Sequence, residues 1–123
     1  MKKVYRYVTE EELKIMKENP EKLGNTFPNG CLSNSFYYAP EQRYLHFFSN
    51  KKDIRLVRAM YKKEEKTFFI CCFNVPFSKL IFHSGRGYYL EAHGFDYAVA
   101  KEYAIKAKEF SPSWLCGVEK DER

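Results

Sequence analysis

The segment VYRYVTEEELKIM, residues 4–16, decides how the rest of the chain is interpreted. Its first part is rich in Val and Tyr, which favour an extended strand, and we predict that strand over Lys3–Val8. Thr9 and Glu12 then form the Ser/Thr-x-x-Glu capping box that begins a helix. Pro20 ends the helix because the residue before a proline avoids helical geometry. The chain therefore opens with a strand that runs directly into a capped helix.

The remaining elements alternate between strands and helices across a chain of 123 residues. Runs rich in Val, Ile, Tyr and Phe favour strands, and Pro76 ends the central one because proline cannot donate to a ladder. Ser49 or Asn50 is placed to cap a second helix, with Asp53 in its first turn. The further predicted strands are Tyr44–Phe48, Lys66–Val75, Lys79–His83 and Tyr88–Glu91.

Three segments interrupt this regular pattern. Gly and Pro residues punctuate Gly24–Pro40, which predicts a long loop of the kind that serves as a lid or binding segment. Gly85-Arg86-Gly87 predicts a turn between two short strands. Between residues 95 and 110 the Ala and Lys content favours a helix, whereas apolar residues that alternate with lysines favour a strand. We prefer a short helix or loop followed by a strand over Glu102–Lys108.

Composition indicates a folded α+β protein. Apolar residues make up 45% of the chain and aromatic residues 18%, which supplies ample material for a packed core. We predict a single domain over residues 1–118 and a charged tail over 119–123. The N-terminal segment lacks the apolar stretch of a signal peptide, and the longest strongly apolar run, residues 67–73, is too short to cross a bilayer. These features predict a cytoplasmic protein without membrane association.

The four cysteines are Cys31, Cys71, Cys72 and Cys116. No pair has Cys-x-x-Cys spacing, and no Cys/His cluster has the spacing of a zinc site. Cys71 and Cys72 are adjacent, so on a strand they point to opposite faces and do not readily bridge each other. The sequence therefore predicts buried, reduced thiols and no metal.

The net charge of +5 is concentrated in one segment. Seven Lys and Arg residues accompany three Asp and Glu residues between positions 51 and 66, and Lys51, Arg55, Arg58 and Lys62 recur at helical spacing. Such a stripe is usually a solvated face. A basic helix over 51–66, together with aromatic residues, also suits a non-catalytic nucleic-acid-binding module. A protein-binding inhibitor or adaptor with aromatic anchors is a third hypothesis.

Three short motifs lie at the ends of the predicted strands. VYRY at residues 4–7 places an arginine in the first strand, and FFSN at 47–50 places an aromatic-Ser pair at a strand-to-helix junction. KEYAI at 101–105 places a glutamate near the start of a late strand. Together with the order of elements from Tyr5 to about Trp114, these motifs resemble the ADP-ribosyltransferase superfamily. The resemblance implies a small α+β domain with a split β-sheet core and two main helices.

The same resemblance implies an NAD-dependent ADP-ribosyltransferase or NAD glycohydrolase, such as a toxin or effector that modifies protein or nucleic acid and has an antitoxin as partner. NAD is then consumed as a substrate and no metal is needed. In the family's pattern Glu102 is the catalytic carboxylate, which stabilises positive charge on the ribose as nicotinamide leaves. Arg6 holds the diphosphate, Ser49 steadies the site, and Phe48 or Tyr88 stacks on the nicotinamide.

Each of these residues also has a purely structural interpretation. Arg6 fits a solvated strand position, Ser49 fits a helix N-cap, and Glu102 fits an exposed helix residue. Members of the superfamily that modify arginine carry Glu or Gln two residues before the catalytic glutamate. This chain has Ala100 at that position, so the resemblance implies NAD glycohydrolysis or an acceptor other than arginine. The NAD hypothesis requires Arg6, Ser49 and Glu102 to converge in one cleft beneath the loop Gly24–Pro40.

Overall fold

The computed structural model describes residues 1–23, 44–60, 65–90 and 96–122, with the backbone alone described at 59–60, 83–90 and 96–100. The strands are β1 (Lys2–Thr9), β2 (Tyr44–Phe48), β3 (Phe68–Val75), β4 (Ile81–Leu90), β5 (Asp96–Lys106) and β6 (Leu115–Lys120). The α-helices are α1 (Glu10–Glu18) and α2 (Ile54–Met60). The predicted α+β class is confirmed.

The six strands form one antiparallel sheet in the order β4-β5-β2-β1-β3-β6. Within the described residues, β1 matches β3 over eight residue pairs and β2 matches β5 over five. Between these two halves, the described ladder of β1 with β2 has a single pair, Tyr5 with Phe48. The sheet is therefore continuous, and its shortest described ladder lies at the centre, between β1 and β2.

Helix α1 begins where the capping box predicts. The Thr9 hydroxyl accepts a hydrogen bond from the Glu12 N–H at 3.1 Å, and such an N-cap contributes about 1 kcal/mol. A full capping box would direct the Glu12 side chain back to the Thr9 N–H. Instead, Glu12 Oε1 accepts a hydrogen bond from Arg6 at 2.7 Å. The helix ends at Glu18, before Pro20, as predicted. Pro20 then begins a short 3₁₀ turn.

An apolar layer covers each face of the sheet. The layer beneath α1 comprises Val4, Val8, Leu13, Met16, Leu23, Leu45, Phe47, Cys71, Phe73, Val75, Ile105, Ala107 and Phe110. The layer beneath α2 comprises Tyr7, Phe48, Ile54, Leu56, Val57, Phe68 and Ile70. Tyr7 and Phe68 stack with ring centroids 4.7 Å apart. Because side chains alternate along a strand, successive residues of β1 belong to different layers.

Two predictions about strands need correction. Strand β5 begins at Asp96, so the preferred strand is confirmed over 102–106, but the short helix or loop placed before it is wrong from residue 96 onward. The ladder with β4 holds this Ala-rich segment extended, which shows tertiary pairing overriding local propensity. The turn at Gly85-Arg86-Gly87 is also wrong, since β4 runs through it. A register shift between His83 and Arg86 marks a β-bulge, which glycine accommodates well.

The described part of the predicted basic helix over 51–66 is not one continuous α-helix. Lys51–Asp53 forms a 3₁₀ turn, α2 follows it to Met60, and Lys66 lies at a bend before β3. Lys62 lies outside the described residues. Asn50 precedes the 3₁₀ turn without a side-chain capping bond, so the predicted cap at this position is not formed by Asn50. Neither described helix has the length and hydropathy that crossing a bilayer requires.

The segment 119–123, predicted as a charged tail, begins inside the sheet. Glu119 and Lys120 belong to β6 and pair with β3. The Asp121 N–H donates to the backbone of β3 at 2.9 Å. The Asp121 carboxylate accepts hydrogen bonds from the Tyr7 hydroxyl and from two nitrogens of Arg58, at 2.7 and 3.0 Å. Within this segment, Glu119 and Lys120 therefore belong to the sheet, and Asp121 is bonded to it.

Candidate functional site

Each of the three motifs contributes one residue to a single row of the sheet. Phe48 pairs with Tyr5 on one side and with Glu102 on the other, so these three side chains share the α2 face. The Ser49 N–H donates to the Lys101 carbonyl at 3.0 Å, which continues the contact between the aromatic-Ser motif and the glutamate motif. Phe48 and Glu102 are both fully buried, at 0% exposure. Glu102 is therefore an interior strand residue, and its interpretation as an exposed helix residue is wrong.

Arg6 projects to the opposite face of the sheet. Its Nη2 donates to Glu12 Oε1 at 2.7 Å, its Nη1 donates to the His46 carbonyl at 2.8 Å, and its guanidinium lies over the Phe47 ring at 5.9 Å. The side chain is only 1% exposed, so Arg6 is not a solvated strand residue. Because adjacent strand residues point to opposite faces, Arg6 and Glu102 are separated by the sheet. The predicted convergence of Arg6 with Glu102 in one cleft is therefore wrong.

The other parts of the predicted NAD site are Tyr88 and the loop Gly24–Pro40. Tyr88 lies on β4 and pairs with Ala98, with its backbone alone described. The proposed lid Gly24–Pro40 lies outside the described residues.

A different concavity occupies the α2 face near the edge of the sheet. It is a groove of about 360 Å³, which falls within the size range of small-ligand sites. Tyr5 pairs with Cys72, and Cys72 pairs with Gly117, so one row across β1, β3 and β6 forms its floor. Its lining residues are Lys3, Tyr5, Lys51, Ile70, Cys72, Gly117, Val118 and Glu119.

Lys3 and Lys51 give the groove lining its positive charge. The Lys51 ammonium lies 2.6 Å from a Glu119 carboxylate oxygen, and its hydrogen bond to Glu119 raises the pKa of Lys51. Lys52 and Arg55, which follow Lys51 within about one helical turn, are exposed. In contrast, Arg58 pairs with Asp121. The basic stripe predicted from the sequence is therefore divided: Arg58 anchors the C-terminal segment, while Lys51 and Arg55 remain at the surface.

A β-bulge brings two thiols together beside this groove. Leu115 pairs with Phe73 and Gly117 with Cys72, so Cys116 is an extra residue on β6 and lies opposite Cys72 together with Gly117. The Cys72 and Cys116 Sγ atoms are 3.0 Å apart. A Cβ at Gly117 would lie 3.5 Å from the Cys72 Cβ, so the glycine keeps the groove floor open beside the thiol.

The three described cysteines have different environments. Burial raises the pKa of the Cys71 thiol to about 12, and it is inert in the α1 layer, as the sequence predicts. Burial, followed by the hydrogen bond with Cys116, raises the pKa of Cys72 to about 11, while Lys3 and Lys51 oppose the shift. Cys72 is half-buried and Cys116 is exposed, so the prediction of a buried thiol is wrong for Cys116. Cys31 lies outside the described residues.

Sequence reasoning missed the thiol pair because its members are 44 positions apart. The pairing depends on β6 and its bulge, and neither was predicted. Gly117 interrupts the Leu115–Lys120 segment and weakens its strand signal. In the described part of the chain, no group of three or more His, Cys, Asp and Glu side chains is arranged to hold a metal ion.

No protein-family model matches this chain, and neither a curated protein nor a solved structure matches it. The ADP-ribosyltransferase resemblance therefore stays a prediction from the motifs.

The position of Arg6 makes a prediction about stability. Arg6→Met leaves the Glu12 carboxylate buried without its guanidinium partner, and we expect the free energy of unfolding to fall by about 3–5 kcal/mol. Glu12→Leu alone should also lower the free energy of unfolding, because it removes the carboxylate that compensates the charge of the buried Arg6 guanidinium. The double variant Arg6→Met/Glu12→Leu removes both charges and should be more stable than either single variant. Urea denaturation measures all four proteins, and a double variant as unstable as the sum of the single ones would contradict the buried pair.

Proposed function

We propose that this protein binds single-stranded nucleic acid in the groove on the α2 face. The observation that supports the proposal is the arrangement of Tyr5 on the groove floor with Lys3 and Lys51 in its lining. An aromatic ring stacks on any base, and ammonium groups bind the phosphates between bases. The two kinds of side chain that single-strand binding needs therefore occur in one concavity.

The ion pair in the groove is compatible with phosphate binding. A lysine ammonium has three donors, and among the described residues that line the groove Glu119 supplies the one carboxylate. Lys51 can thus keep its bond to Glu119 and donate to a phosphate oxygen as well. The exposed Lys52 and Arg55 extend the positive surface beyond the groove. Among the described residues of the groove lining, two lysines accompany one carboxylate, and this excess of positive charge favours a polyanion over a neutral ligand.

Salt dependence provides the first test of this proposal. Lys3→Gln/Lys52→Gln removes two phosphate contacts and should reduce the slope of log affinity against log salt by about 1.4, at roughly 0.7 per contact for a single strand. Lys14→Gln/Lys17→Gln is a charge-matched control, because both lysines are exposed on α1 at the opposite face. Fluorescence anisotropy with a labelled single-stranded oligonucleotide gives the slopes. The proposal would be rejected if the affinity of the wild-type protein did not depend on salt. It would also be rejected if the control variant reduced the salt slope as much as Lys3→Gln/Lys52→Gln does.

Stacking provides a second test that does not change charge. Tyr5→Leu should weaken oligonucleotide binding by about 1–3 kcal/mol while the salt slope is kept, because a base loses its aromatic platform but the phosphates keep their cations. Tyr5→Phe keeps the ring and should bind nearly as well as the wild type. The same anisotropy titration measures both variants. If Tyr5→Leu binds like Tyr5→Phe, the groove does not stack bases.

An NAD-consuming activity is the second candidate function. The observation that favours it is the direct pairing of Phe48 with Glu102, next to the Ser49 contact with Lys101. A carboxylate beside an aromatic ring and a serine has the components that nicotinamide departure requires. Arg6 takes no part in this candidate site, because it lies on the other face with Glu12. A diphosphate would need another cation.

The test of this candidate is the isosteric change Glu102→Gln. It removes the negative charge that would stabilise a ribosyl cation, so NAD consumption should fall by at least about 100-fold. Glu11→Gln, on the exposed surface of α1, is the matched control and should retain full activity. Chromatography of the NAD and nicotinamide in each reaction gives the rates, and thermal melting verifies the fold. A wild-type protein that neither binds nor consumes NAD would eliminate the candidate.

A further inference from the structure

The bulge in β6 places two thiols in a geometry close to that of a disulfide. The Cys72 and Cys116 Sγ atoms are 3.0 Å apart, and a disulfide bond of about 2.05 Å requires them to approach by only about 1 Å. The two residues lie on neighbouring strands, with Gly117 directly paired to Cys72. The backbone therefore already holds both sulfurs within reach of each other.

The two thiols also differ in access, which gives them distinct roles. Cys116 is exposed on an edge strand, whereas Cys72 is half-buried and lines the groove. Lys3 and Lys51 lie in the same groove and attract small anions. These lysines lie on the Cys72 side of the pair, whereas the exposure of Cys116 makes it the thiol that a low-molecular-weight disulfide such as oxidised glutathione reaches first.

We infer that Cys72 and Cys116 form a reversible intramolecular disulfide by exchange with a low-molecular-weight disulfide such as oxidised glutathione. The Cys116 thiolate attacks one glutathione sulfur, which breaks the glutathione S–S bond and releases one glutathione thiolate. The Cys72 thiolate then attacks Cys116 Sγ and expels the second glutathione thiolate. The two protein thiols are oxidised, one oxidised glutathione is reduced to two molecules of glutathione, and the leaving thiolates take the two protein protons.

The bond would fix the edge of the sheet. It joins β6 to β3 and closes a loop of 44 positions, so it restricts the unfolded chain and raises the melting temperature. It also fixes the part of the groove that β6 forms against the part that β3 forms. The inference requires only the thiol pair, and it holds whether or not the groove binds nucleic acid.

The test uses the full chain, reduced and then incubated with oxidised glutathione at set ratios to reduced glutathione. We expect the protein to lose two free thiols and about 2 Da of mass, and a non-reducing peptide map to join Cys72 with Cys116. Dithiothreitol should restore both thiols. The variant Cys31→Ser/Cys71→Ser keeps the pair and should give the same result. The melting temperature should be higher in the oxidised protein than in the reduced one.

Single variants separate the two steps. Both are made in the Cys31→Ser/Cys71→Ser background. There, Cys72→Ser should stop at a stable glutathione adduct on Cys116, because no second thiol expels the glutathione. Cys116→Ser should react more slowly than the intact pair, since the remaining thiol is half-buried. A wild-type protein that accumulates the Cys116 adduct without closing, or a map that contains only intermolecular bonds or bonds to Cys31, would overturn the inference.

Discussion

The buried ion pair of Arg6 with Glu12 holds this structure together where the sheet is weakest. The ladder between β1 and β2 has one described residue pair, and Arg6 adds a hydrogen bond from its side chain to the His46 carbonyl of β2. The same guanidinium bonds to Glu12 on α1. One side chain thus joins a helix to both halves of the sheet. Burying a charge without its partner is costly, so the loss of one member of the pair is more damaging than the loss of both.

The alternation of side chains along β1 separates structural contacts from surface chemistry. Arg6 belongs to the α1 layer, whereas Lys3 and Tyr5 point to the groove on the α2 face. The groove depends on three adjacent strands, β1, β3 and β6, whose register brings Tyr5, Cys72 and Gly117 into one row. The C-terminal strand is therefore part of the site, and the bonds of Asp121 to β3 and Arg58 hold it in place.

Local signals predicted the parts of the fold that local physics controls. The Thr9 cap, the strand Tyr44–Phe48 and the end of β3 at Pro76 follow from hydrogen-bond capping, β propensity and the missing proline donor. The site was much less predictable. The motifs drew attention to Arg6 and Glu102, but which face each side chain takes depends on register between strands, and a one-residue shift exchanges the faces. The bulge at Cys116 is likewise a property of pairing, with no local signal.

The strict alternation along β1 has a consequence for how this protein tolerates change in length. If the start of β1 keeps its register, inserting one residue between Lys3 and Tyr5 would turn the following side chains to the opposite face of the sheet. The guanidinium would then enter the groove, and the Tyr5 phenol would meet the Glu12 carboxylate in the α1 layer. Point substitutions in this segment damage one layer at a time, whereas a single-codon insertion damages both together. Natural variants of the chain should therefore keep the spacing of this strand unchanged even where individual side chains differ.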